Sequence, residues 1–208
     1  MEYLVTMTTK VPDGTSEAAV QDIRASEAAH SRELAAQGHL MRLWRPPLQP
    51  GEWRTFGLFA ADDDVQLEKV LASMPLRIWR TDEVTALSPH PNDPGRQTST
   101  PHSAAFEEQG SEFLVTFTVA IPADTPAHTV NATIAREAER AGELAGQGHL
   151  LRLWALPGKG RALGLWRAHD TTAMQAILTS LPMCAWLTVE TTPLSPHPSD
   201  PGVHLTTT

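Results

Sequence analysis

Gln37-Gly38-His39-Leu40-Met41-Arg42-Leu43-Trp44 returns 110 residues later as Gln147-Gly148-His149-Leu150-Leu151-Arg152-Leu153-Trp154. The same offset carries Glu2 onto Glu112 and Glu27 onto Glu137. Further along, Leu87-Ser88-Pro89-His90-Pro91 returns as Leu194-Ser195-Pro196-His197-Pro198, and the second copy is three residues shorter between Trp154 and Gly164. The chain is therefore two homologous copies in tandem. Solenoid and propeller units repeat every 20–50 residues or so. A longer period means that each copy is a small domain with elements of its own. The length of 208 residues agrees, since roughly 150 residues per domain gives one or two.

Working outward from the repeated stretch, the periodicity changes in a readable order. Tyr3 to Thr9 is apolar and β-branched, the pattern of a strand. Pro12-Asp13-Gly14-Thr15 is a turn that leaves Thr15 or Ser16 to cap an Ala- and Glu-rich helix running to Gln37, which Gly38 ends. His39 to Arg45 and Trp53 to Ala60 read as two strands around a Pro/Gly turn. Asp62-Asp63-Asp64 opens a second helix, where carboxylates suit the positive end of the dipole. That helix stops at Met74-Pro75, and Leu76 to Leu87 reads as the last strand. The order βαββαβ predicts an α+β fold, a ferredoxin-like domain, and residues 112–194 repeat it. The expected boundaries are 1–95 for the first domain, 96–111 for a linker and 112–208 for the second. Ser88 to Gly110 is rich in Pro, Ser, Thr and Asn and reads as extended, and Ser195 to Thr208 reads as a tail.

Both faces of these strands carry apolar side chains, while helices can cover one face of a sheet. The open faces are therefore expected to pair within the chain, as an intrachain pseudo-dimeric α/β-barrel. An isolated first domain would then dimerise or aggregate.

Composition narrows the function. Hydrophobic residues make up 41% and charged ones 19%, which excludes disorder throughout. The formal net charge of −8 argues against nucleic acid or an anionic membrane as a partner, because both need a basic footprint. A single cysteine, Cys184, rules out an intrachain disulfide or a cysteine-built metal cage. The nine histidines form no HxH or HExxH spacing, so no metal is expected. With no leader-like or membrane-spanning stretch at its start, the chain is expected to be soluble and cytoplasmic.

The first helix holds the most informative residue. Val20, Ile23 and Leu34 share one stripe, and Glu27 falls inside it; Glu137 does the same among Val130, Ile134, Ala141 and Leu144. A carboxylate facing a sheet is costly unless something pairs with it. Either each Glu snorkels or pairs with a structural Arg, or helix and sheet leave a pocket in which a raised pKa suits a general base. On the following strand, strict alternation puts Leu40, Arg42 and Trp44 on one face and His39, Met41, Leu43 and Arg45 on the other. Arg42 with Trp44, and Arg152 with Trp154 in the second copy, could hold a planar carboxylated molecule. Arg42 could equally be no more than the ion-pair partner of Glu27. His39 and His149 fit local hydrogen bonding beside a glycine, with His39 kept as a substrate-contact candidate. Lys10, Arg45 and Trp53 complete the candidates. Lys10 is matched by Ala120 and Arg45 by Ala155, so one competent pocket and one altered pocket are expected.

Met7 to Pro12, Ala25 to Glu27, Gly38 to Arg45, Met74-Pro75-Leu76 and His90-Pro91, in that order and spacing, resemble the muconolactone isomerase family. The resemblance covers nearly all of the first copy and, more weakly, the second. It implies ferredoxin-like subunits that pair as an α/β-barrel, homo-oligomers, and a cofactor-free 1,3-proton shift on an unsaturated lactone. It places Glu27 at the family's helix-borne carboxylate and Arg45 and Lys10 at its basic positions, and it implies a tail that folds over a neighbouring pocket. The family's polar Tyr-x-Asn-Tyr-Ser stretch appears here as Trp53-Arg54-Thr55-Phe56-Gly57, which points away from muconolactone itself. The expectation is a cofactor-independent isomerase or cyclase acting on a small unsaturated lactone or carboxylated conjugated molecule. Glu27 and Glu137 are the catalytic candidates. The rivals are a binding or assembly protein without turnover, and a monooxygenase of the same barrel class.

Overall fold

Strand β1 (Glu2–Thr9) alternates buried and half-buried side chains, with Tyr3, Val5 and Met7 inward. A computed structural model describes residues 1–96 and 110–202. The middle of the expected linker, 97–109, and the last residues, 203–208, lie outside the described residues.

Helix α1 (Glu17–Ala36) starts where Ser16 accepts a hydrogen bond from the Ala19 N–H, and ends at Gly38, whose φ of 78° favours glycine. Strands β2 (Leu40–Arg45) and β3 (Arg54–Ala60) follow. Helix α2 (Asp64–Ser73) is capped by Asp63, which accepts from the Gln66 N–H. The expected last strand starts later than its sequence suggests. Pro75, with its φ locked, opens a 3-10 turn over Pro75–Trp79, and β4 runs Arg80–Pro89. The second copy repeats this as β5 (Ser111–Val119), α3 (Ala127–Gly146), β6 (Leu150–Ala155), β7 (Arg161–Ala168), α4 (Thr171–Thr179) and β8 (Leu187–Pro196). The fold class is the one expected: α+β, two tandem ferredoxin-like repeats. Among the described residues no helix is long and apolar enough to cross a membrane.

Two compact units are present, and their limits differ from the repeat boundaries. Unit 1 is Met1–Leu87 together with the chain from Ser195, and unit 2 is Ser88–Leu194. In unit 1 the antiparallel order is β4-β1-β3-β2, and the end of β8 adds to β2 through Trp44↔Pro196 and Arg45↔Ser195. In unit 2 the order is β8-β5-β7-β6, and the end of β4 adds to β6 through Ser88↔Ala155 and Pro89↔Trp154. Residues 88–96 are therefore strand end, turn and 3-10 turn rather than extended linker, and 195–202 are part of unit 1 rather than a loose tail. The cause is two buried aspartates. Asp200 accepts hydrogen bonds from the Leu43 N–H at 2.9 Å and from Arg42 (Nη2 to Oδ2, 3.0 Å) in unit 1. Asp93 accepts from the Leu153 N–H at 2.9 Å and from Arg152 Nε at 3.3 Å in unit 2.

Each unit buries its own apolar core between sheet and helices, centred on Tyr3, Leu34, Phe59 and Leu71 in unit 1 and on Phe113, Leu144, Leu150 and Met174 in unit 2. Strict alternation fails in β2. The register against β3 shifts between Leu40 and Arg42, a bulge, so Leu40 and Leu43 both face the unit 1 core despite their odd spacing. β6 shifts identically between Leu150 and Arg152.

Candidate functional site

In unit 1 a cavity of about 170 Å³ lies between α1, the strand ends and the chain after β8. Glu27 lies on its wall, half-buried. Its Oε2 accepts from the Leu76 N–H at 2.8 Å, and Oε1 meets Arg80 Nη1 at 3.2 Å. The Pro75 turn is what aims the Leu76 N–H at the helix. The Arg80 side chain is 2% exposed and locked in place by Asp82, with Nε to Oδ1 at 2.6 Å and Nη2 to Oδ2 at 3.0 Å. Arg77 pairs with the same Asp82 from the other side. Burial raises the Glu27 pKa above the ordinary carboxylate range, against the pull of the Leu76 N–H and Arg80.

Two further arginines, Arg24 and Arg45, line this cavity with Trp53, and the Arg24 guanidinium sits 5.4 Å from the Trp53 ring centre. With Arg80, the partner of Glu27, they put three cations on the wall of one cavity, an arrangement suited to a small anion. Buried Thr9, Ser31 and Thr55 add hydroxyls to the wall. His197, from the chain after β8, closes it. Burial, then Arg45 and Arg24, hold His197 down to about 4, so it is neutral at pH 7. The Ser199 N–H donates to His197 Nδ1 at 3.1 Å, which leaves the ring proton on Nε2 and makes that nitrogen a donor.

In unit 2 the equivalent cavity is larger, about 690 Å³, and lined mostly by apolar groups. Glu137 Oε2 accepts from the Met183 N–H at 2.9 Å, the counterpart of the Leu76 contact. Its pKa is also raised by burial. Burial lowers that of His90, which lines the cavity as His197 does in unit 1 and accepts from the Asn92 N–H at Nδ1.

The residues singled out from the sequence divide into those at a cavity and those elsewhere. Glu27, Arg45 and Trp53 come together in unit 1, and Glu137 lines the unit 2 cavity. Arg42 is neither the partner of Glu27 nor a cavity group: it grips Asp200 and lies 4.8 Å from the ring centre of the buried Trp44. Arg152 and Trp154 repeat this with Asp93. The bulge explains the difference, because it turns Leu43 and Arg45 toward the cavity and Arg42 and Trp44 off it. His39 Nδ1 bonds the Ala60 carbonyl at 3.1 Å and His149 Nδ1 that of Arg167 at 3.0 Å, both away from the cavity linings. Lys10 is exposed and outside the lining. Sequence reasoning missed Arg24, Arg80, Asp82 and His197. The signal for the tail was present in the repeated His-Pro-x-Asp-Pro-Gly of 90–95 and 197–202, whose Asp93 and Asp200 both turn out buried.

Compared with known proteins, residues 1–93 and 111–200 match the family model described as muconolactone delta-isomerase. Muconolactone Delta-isomerase 1 of Acinetobacter lwoffii is 31% identical over 92 residues, which is 44% of this chain and 93% of that protein. The muconolactone Delta-isomerase of Rhodococcus opacus is 30% identical over 88 residues, 42% of this chain and 95% of the relative. One copy here thus corresponds to a whole relative. Among solved structures, a heme-binding protein from Thermus thermophilus superposes with a TM-score of 0.58 at 11% identity, covering 96% of this chain and 93% of that one. A mutant chlorite dismutase from Candidatus Nitrospira defluvii gives 0.56 at 12% identity, covering 93% and 91%. At such identities the likeness is one of fold.

Proposed function

The chain belongs to the muconolactone delta-isomerase family, and from that premise we propose that unit 1 carries out a cofactor-independent 1,3-proton shift on a small unsaturated lactone bearing a carboxylate. The observation that carries this reading is Glu27, a half-buried carboxylate with a raised pKa on the wall of a cavity lined by three arginines. Arg24 and Arg45 hold the substrate carboxylate. Glu27 takes a proton from the carbon γ to the lactone carbonyl, on the far side of the ring double bond: the C–H bond breaks, an O–H bond forms on Glu27, and the electron pair spreads through the conjugated system onto the carbonyl oxygen. His197, neutral and protonated on Nε2, suits donation to that oxygen. Glu27 then returns the proton two carbons along, which moves the double bond and regenerates the carboxylate. Arg80 keeps the carboxylate ionisable despite its burial.

The test is exchange and isomerisation of muconolactone and related carboxylated lactones in deuterated water, followed by NMR. Glu27→Gln keeps the size and one acceptor but loses the base, and should slow exchange by about 10²–10⁴-fold, the range of general base catalysis. Exchange at the wild-type rate in this variant would sink the assignment.

A further inference from the structure

The unit 2 cavity keeps the carboxyl of unit 1 and loses its cations. Arg24 is matched by Ile134 and Arg80 by Leu187, so neither arginine has a charged counterpart at these positions. The polar wall goes with them: Thr9 is matched by Val119, Ser31 by Ala141 and Thr55 by Ala162, all lining the cavity. The strand pairing supports these matches, because Thr9 opposes Arg80 in unit 1 as Val119 opposes Leu187 in unit 2. The cation on the described lining is Lys159, which is exposed to solvent. The volume meanwhile rises from about 170 to about 690 Å³. That lies within the roughly 300–1,000 Å³ typical of sites that enclose drug-sized molecules.

Decay of an unused site does not account for this pattern. Glu137 keeps both its half-buried position and its hydrogen bond from the Met183 N–H, and His90 keeps its place on the wall. The segment carrying His90 is still fastened by the buried Asp93. An anion entering this cavity meets a carboxyl group and apolar walls, with no buried cation among the described lining residues to receive it. An uncharged ring compound meets apolar area to bury and one carboxyl to orient a polar substituent. We propose that unit 2 is a second small-molecule site, selective for an uncharged, largely apolar ring compound with Glu137 as its polar anchor, and distinct in ligand charge from unit 1. Units of one chain then sort two ligands, or two forms of one ligand, by charge. This inference stands on the unit 2 cavity alone and does not depend on the chemistry assigned to Glu27.

A matched pair of fluorescent probes tests it: N-phenyl-1-naphthylamine, which is uncharged, and 1-anilinonaphthalene-8-sulfonate, the same rings carrying a sulfonate. Titrated into the full chain, the uncharged probe should bind saturably at one equivalent and at least tenfold more tightly than the sulfonate. Ile134→Arg restores the arginine of unit 1 at a position that is 47% exposed and so tolerates a long side chain. It should weaken the uncharged probe by tenfold or more and tighten the sulfonate. Ala162→Trp, which fills the cavity, should abolish binding of the uncharged probe. Equal or reversed probe preference in the wild-type chain overturns the proposal, and so does an Ile134→Arg chain that binds both probes as the wild type does.

Discussion

Replacing Asp200 by Ala removes one carboxylate that holds the chain after β8 onto unit 1. Asp200 is fully buried, and its oxygens accept from the Leu43 N–H at 2.9 Å, the Gly202 N–H at 3.2 Å, and Arg42 through Nε at 3.2 Å and Nη2 at 3.0 Å. Removing one partner of a buried ion pair costs about 3–5 kcal/mol. The Arg42 side chain is 25% exposed and keeps its stacking on Trp44, so water relieves part of that cost. The buried Leu43 N–H loses its acceptor, which adds about 1–3 kcal/mol. A net loss of about 3 kcal/mol follows. Asp200→Asn keeps an oxygen for Leu43 and should lose about 1–2 kcal/mol. Urea unfolding followed by circular dichroism reads both, and in a melt the Ala variant should fall by roughly 6–12 °C at the ~2–4 °C per kcal/mol expected of a chain this size. Because Asp200 holds His197 to Ser199 against the cavity, lactone turnover should fall with stability. An Asp200→Ala chain that unfolds at the wild-type urea concentration would refute the idea that this carboxylate fastens the segment.

His197 is held at about 4, below the ordinary 6.5. A depressed folded pKa gives stability that is present above 6.5 and lost as pH falls toward 4. The urea midpoint should therefore drop between pH 7 and pH 4, and His197→Gln should flatten that drop; equal slopes in the two proteins would count against it. Arg80→Leu, the residue found at position 187, strips the cation from Glu27 and leaves Asp82 buried with Arg77 as its remaining arginine. Stability should fall by about 3 kcal/mol, near the low end for a broken buried pair. The Glu27 pKa should rise further, so the acid limb of the pH–rate profile moves to higher pH; an unmoved limb would separate Arg80 from the base.

Local signals carried much of this protein. The recurrence of Gln37 to Trp44 as Gln147 to Trp154 is a fact of covalent order, so tandem repetition needs no folding to be read. Helix caps at Ser16 and Asp63 and the stop at Gly38 are set by contacts within a few residues, and they lie where the sequence puts them. The inward Glu27 was legible because the helical period ties neighbours three and four apart. What tertiary structure alone decided is which groups meet that carboxylate. Arg80 lies 53 residues from Glu27, and Asp200 lies 158 from Arg42. No periodicity encodes such pairings, because they depend on how strands register across a sheet. The bulge after Leu40 shows the sensitivity: one extra residue moves Arg42 from candidate substrate clamp to tail fastener and puts Arg45 at the cavity. The closing of each cavity by a segment beyond the last strand of the other repeat was likewise invisible in composition, since Pro, Ser and Asn read as linker until a buried aspartate gives them something to hold.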